Sequence, residues 1–168
     1  SGGSSTLDVI DTTTDTVSSR IAIGGDPGQA VIVGSRLYLA NNGSTNFSII
    51  NTTTDTVIGT VSGFTAPFSP TVVGHHIYVG AVNAFNISTV SVIDTNTNIN
   101  VASITTGDSP QYLSFVNNNI YAANVRGATV SIIDTTSLYS LLPNLTSFST
   151  SASSGTYDTG DSLTITAH

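Results

Sequence analysis

The stretch Val9-Ile-Asp-Thr-Thr-Thr-Asp-Thr-Val17 returns as Ile49-Ile-Asn-Thr-Thr-Thr-Asp-Thr-Val57, again as Val92-Ile-Asp-Thr-Asn-Thr-Asn98, and more loosely as Ile132-Ile-Asp-Thr-Thr-Ser137. Its anchor residues Asp11, Asn51, Asp94 and Asp134 lie 40, 43 and 40 positions apart. Two further markers keep the same step: Tyr38, Tyr78 and Tyr121 are spaced 40 and 43, and so are Pro27, Pro67 and Pro110. Markers that share one period define a repeat, and a period of this length sets the architecture before any single strand is assigned. The three extra residues fall around 81–86 and lengthen one loop between otherwise intact neighbours.

Within each unit the residues read as four short strands separated by turns. Gln29-Ala-Val-Ile-Val33 is apolar and β-branched, and Gly34-Ser35, Gly74-His75 and Asn117-Asn118 are two-residue hairpin turns built from residues that tolerate positive φ. A Leu37-Tyr-Leu-Ala type strand follows, then a polar loop, the strand ending Ile-Ile-Asp, the Thr-rich turn and a fourth strand such as Val57-Ile-Gly-Thr-Val61. In the Thr-rich turn the anchor side chain can accept a hydrogen bond from the backbone N–H two residues on. Asn51 keeps that acceptor without the charge, so Asp11, Asn51, Asp94 and Asp134 read as structural turn residues. No stretch reads as a helix.

The composition narrows function by exclusion. The chain has 168 residues with ten Asp and three Arg, no Lys, no Glu and no Cys, and a formal net charge of −7. Three scattered cations, Arg20, Arg36 and Arg126, cannot neutralise a phosphate backbone or an anionic bilayer, which argues against nucleic-acid binding. No apolar run approaches a membrane span, and no membrane insertion is expected. Ser and Thr together number 51 and Asn adds 14, a surface of hydroxyls and amides that stays hydrated at any pH. Five Asn-x-Ser/Thr sequons, at Asn42, Asn46, Asn51, Asn86 and Asn144, suit a secreted and N-glycosylated chain. The expected address is extracellular, at a cell surface.

The motif Val/Ile-Ile-Asp-Thr-x-Thr, followed by a strand, Gly-x-x-Pro and x-Leu/Ile-Tyr-Val/Ala-x-Asn, resembles the YVTN repeat, named for Tyr-Val-Thr-Asn and found in β-propellers of microbial surface-layer proteins. The resemblance covers about residues 7 to 141. The tetrapeptide itself departs, reading Tyr38-Leu-Ala-Asn41, Tyr78-Val-Gly-Ala81 and Tyr121-Ala-Ala-Asn124. It implies an all-β chain of four-stranded antiparallel blades stacked radially around a channel. One tyrosine per blade at a fixed strand position then reads as inter-blade core at Tyr38, Tyr78 and Tyr121.

A propeller closes with roughly four to eight blades, whereas this repeat region holds about three to three and a half. The expected division is a linker at 1–6, repeats over 7–146 (a partial unit at 7–24, then 27–63, 67–107 and 110–146), and a Ser-rich linker at 147–156. Residues 157–168 are a short C-terminal β segment, the start of an immunoglobulin-like module or a donated strand. An open arc leaves flanks that only sibling blades cover, so the expected partners are missing blades of the same chain or other copies of itself, with cell-surface proteins or glycans beyond. Truncation is the favoured explanation; two arcs summing to seven blades are the alternative.

The candidate chemistry is sparse. His75-His76 sits where the other units carry Ser35-Arg36 and Asn118-Asn119, and reads as a surface turn in preference to a metal site. Asp11 with Asp15, and the Gly-Asp turns at Asp26, Asp108 and Asp161, lack the spacing of a calcium loop. No catalytic residue, cofactor or metal is expected. The leading function is a non-enzymatic structural or adhesion module. The alternatives are a fragment of a propeller enzyme or ligand-binding propeller with its site elsewhere, and a subunit that polymerises through open edges.

Overall fold

The turn residues fix the strand boundaries, and a computed structural model describes the outcome for residues 5–82 and 87–136. The strands are β1 (Thr6–Asp11), β2 (Thr16–Ala22), β3 (Pro27–Val33), β4 (Arg36–Asn41), β5 (Asn46–Asn51), β6 (Thr56–Ser62), β7 (Thr65–Val73), β8 (His76–Val82), β9 (Ser88–Asp94), β10 (Ile99–Thr105), β11 (Pro110–Val116), β12 (Asn119–Asn124) and β13 (Thr129–Asp134). They form four antiparallel meanders, β1-β2, β3-β4-β5-β6, β7-β8-β9-β10 and β11-β12-β13. Gly34 and Gly74 take φ of +59° with no positive φ at Ser35 or His75, the type II′ pattern; Asn117 and Asn118 are both left-handed, the type I′ pattern. Both turns carry the twist that paired strands need.

The four Thr-rich turns form the same cap. Thr13 N donates to Asp11 Oδ1 (2.8 Å), Thr53 N to Asn51 Oδ1 (2.8 Å), Asn96 N to Asp94 Oδ1 (2.7 Å) and Thr136 N to Asp134 Oδ1 (2.9 Å). Asp15, Asp55 and Asn98 then close the turn at φ between 53° and 58°, a conformation Asp and Asn adopt at low cost. A second tie joins the two turns at the same end of each blade. Thr52, Thr95 and Thr135 each donate both N–H and hydroxyl to one carbonyl, that of Ser35, His75 and Asn118 respectively.

The sheets radiate. The first strands lie close to their neighbours, β3 to β7 and β7 to β11, whereas the fourth strands β2, β6 and β10 scarcely meet. The chain is therefore an arc of a β-propeller, with first strands toward the axis and fourth strands on the rim. Three apolar clusters fill the wedges: Ile21, Leu39 and Ile50 form the first, Tyr38, Phe47, Ile49, Phe64, Ile77, Val79 and Ile93 the second, and Tyr78, Val90, Val92, Leu113, Ile120 and Ile133 the third. Gly80 lies where any Cβ would overlap the Pro110 carbonyl oxygen, so glycine sets how closely the last blade approaches.

The repeat also shows one paired exchange. Asn41 donates Nδ2 to Asn46 Oδ1 (2.7 Å) and Ser48 Oγ (2.9 Å), and a Cβ on Gly24 would strike that amide. Asn124 lies likewise against Gly107, within reach of the Thr129 and Ser131 hydroxyls. In the middle blade the corresponding residues are Ala81 and Phe64, both buried in one apolar cluster, with Phe64 edge-on to Phe47 at 5.4 Å. A ring occupies the volume that glycine and amide share elsewhere, and the Thr89 hydroxyl, which corresponds to the Asn46 and Thr129 side chains, is left buried without a partner.

Candidate functional site

Two surfaces stand out once the arc is built. The first is the flank of the last sheet. Val130, Ile132 and Tyr121 are 60%, 63% and 36% exposed, whereas their counterparts Phe47, Ile49 and Tyr38, and Val90, Val92 and Tyr78, are at most 1% exposed. The same positions are core wherever a following blade covers them. Tyr38 and Tyr78 thus lie between blades, and Tyr121 lies bare because no described sheet packs on it. Tyr38 also shows what the covering blade provides: its hydroxyl donates to Asn98 Oδ1 (2.7 Å) in the next blade's Thr-rich turn, and Arg36 Nη1 donates to the Thr95 carbonyl beside it (3.2 Å).

The second surface is a cleft of about 280 Å³ among the first strands. Gln29 comes from β3, Phe68 and Ser69 from β7, Gln111 and Tyr112 from β11, and Asn42 from the loop after β4. Each blade begins with a left-handed residue ahead of its proline, Asp26, Ala66 and Ser109. The loop after β4 is pinned to the first of these by Asn42 N to the Asp26 carbonyl and Gly43 N to the Gly25 carbonyl. In β7 the device occurs twice. Ser69 (φ 45°) precedes Pro70, and β7 shifts register against β8 on both sides of Phe68. Ser69 Oγ accepts the Leu113 N–H (3.1 Å), fixing the kinked segment to β11.

The remaining candidates have structural places. The amide oxygens of Asn46 and Asn51 accept internal hydrogen bonds, and that of Asn42 is buried. Asn86, Asn144 and the segments 1–4 and 137–168 lie outside the described residues. Asp11 and Asp134 are held below the ordinary carboxylate range, first by the hydroxyls of Thr13 and Thr136 and then by the backbone N–H groups of the same residues. The pair Asp8 and Arg20, cross-strand neighbours at 2.6 Å, is exposed, and its hydrogen bond lowers Asp8. His76 corrects the surface-turn expectation: it is the first residue of β8, opposite Asp94, and only 8% exposed, and its burial lowers its basicity. Among the described residues no three His or Asp side chains gather as a metal site.

Comparison with known proteins supports the fold. The sequence matches no family model, and no curated protein matches it significantly. Among solved structures it is similar to the hydrazine synthase of Kuenenia stuttgartiensis at 23% identity and a TM-score of 0.67, over 79% of this chain and 41% of that one. It is similar to the computationally designed Ika4 protein at 15% identity and 0.63, over 77% and 79%, and to the dihydro-heme d1 dehydrogenase NirN at 11% and 0.58, over 77% and 30%. The chain thus spans about two fifths of the hydrazine synthase chain it matches. Propellers define the class; neighbours as different as a synthase, a designed protein and a dehydrogenase share an architecture and not one activity.

Proposed function

We propose that the chain is a non-enzymatic structural or interaction module of a microbial cell-surface protein, its YVTN-like blades serving as an extracellular scaffold. The observation that carries this is the uncovered flank at Tyr121, Val130 and Ile132, where core positions of the repeat face outward. Contiguous apolar surface rimmed by polar residues is an interaction surface, and its natural complement is another blade whose Thr-rich turn accepts the Tyr121 hydroxyl as Asn98 accepts that of Tyr38. That blade comes from the same polypeptide or from a second copy. Support for the extracellular address is compositional: a surface of Ser, Thr and Asn, five sequons and no thiol.

Sedimentation equilibrium of the chain and of Ile132→Asp tests the reading. Association above 17.2 kDa in the wild type, weakened at least tenfold by Ile132→Asp, supports it. A wild type that stays monomeric at 100 µM (a concentration of roughly the scale at which weak specific contacts form) and matches the variant refutes the use of this flank.

A further inference from the structure

We infer that the cleft among the first strands is a binding site for a neutral saccharide. The inference rests on the adhesive reading only in supposing that the module meets glycans; the site itself is argued from its walls. None of its described lining residues is charged. Phosphates, carboxylates and amines, whose recognition relies on an opposite charge or a dense donor array, therefore have no counter-group there. Instead three primary amides, Gln29, Asn42 and Gln111, line it together with two aromatic residues, Phe68 and Tyr112, from three separate strands and one loop. Primary amides offer donors and acceptors together, which suits a ligand whose hydroxyls do both. The rings offer flat apolar faces of the kind that the C–H face of a pyranose covers.

Two independent features mark the cleft as built. Ser69 is left-handed although it is not glycine, and the corresponding Gln29 of β3 and Tyr112 of β11 are not. The strain at Ala66 belongs to the repeat; that at Ser69 does not, and such outliers concentrate at ligand sites. Its effect is to bulge β7 at the place where Phe68 joins the wall. The second feature is Asn42 Oδ1, which is buried without a hydrogen-bond partner, as Asn41 Oδ1 beside it also is, and of the two residues it is Asn42 that lines the cleft. A buried acceptor left unpaired calls for a donor, and a sugar hydroxyl is one. Gln111 is held from behind, its Nε2 donating to Ser109 Oγ at 3.1 Å.

The test uses the whole chain and a panel of neutral hexose and N-acetylhexosamine oligomers alongside sulfated and sialylated forms, with saturation-transfer NMR and tyrosine fluorescence. At least one neutral oligomer is expected to bind saturably and more tightly than its anionic forms. Tyr112→Ala, at a side chain 61% exposed, and Gln111→Leu are each expected to weaken it tenfold or more with an unchanged far-UV spectrum. Saccharide binding that neither variant alters overturns the assignment of the site while leaving an adhesive role intact. No binding by any neutral oligomer at 10 mM (about the weak limit of useful recognition), or preference for the anionic forms, overturns the ligand class, and the sedimentation result above is unaffected by either outcome.

Discussion

Exchanging Phe64 and Ala81 for the glycine and asparagine of the other blades is the sharpest test of the repeat as a physical unit. Phe64→Gly removes a ring that is 2% exposed and packed edge-on against Phe47. The lost burial and the cavity cost about 3–5 kcal/mol, and glycine's added unfolded-state freedom about 0.5–1 more. Ala81→Asn alone drives an amide into space the ring already fills, overpacking worth about 1–3 kcal/mol, and strands its polar atoms. Made together, the substitutions recreate the glycine-against-amide contact seen at Gly24 and Asn41, and the new amide meets the orphaned Thr89 hydroxyl and Ser91. The double variant is then less destabilised than the sum of the single ones by about 2–3 kcal/mol, near the upper end for residues in contact. Urea denaturation of all four proteins with a common m-value measures this. Additivity within about 0.5 kcal/mol refutes the claim that ring and amide compete for one volume.

Three further expectations follow from the same geometry. Thr89→Val removes a buried hydroxyl without a partner and raises stability by about 1 kcal/mol; in the double variant above it becomes destabilising, and chemical denaturation reads both. Ala66→Gly relieves a left-handed alanine at φ 48° and yields about 0.5–1 kcal/mol after the entropic offset, seen as a higher urea midpoint. Burial lowers the basicity of His76 below its ordinary 6.5, so the unfolded chain takes up that proton first. Stability is complete above the unfolded value and falls as pH drops through it toward the folded one. His76→Asn, the residue the next repeat carries there, flattens this part of the profile in thermal melts between pH 7.5 and 5 (a window about the ordinary histidine range).

The turns were legible because their chemistry is local: Asp11 and Thr13, or Asn51 and Thr53, are two residues apart, and a repeat of four copies averages out the exceptions. The tie from Thr52, Thr95 and Thr135 was not, since its acceptors lie 17 to 20 residues away and threonine is everywhere in the turn. Nothing local in the sequence marks Phe64 and Ala81 as partners; only the register three before proline and three after tyrosine does. His76 was misplaced because a turn position by count became the first residue of a covered strand. Tyr121 shares its motif with Tyr38 and Tyr78, but burial is a property of the neighbour that covers it. The cleft draws two or three residues from each of three blades, so no window of sequence contains it.

The radial arrangement of the sheets is tested most directly by distance measurement between spin labels, which is clean here because the chain has no native cysteine. Cysteines introduced at Thr60 and Ser103 report the spacing of the fourth strands of the two complete blades, and cysteines at Ile32 and Val72 report that of their first strands. Fourth strands markedly farther apart than first strands are the predicted result. Equal spacings at rim and axis would contradict the arc and place these sheets face to face in parallel layers.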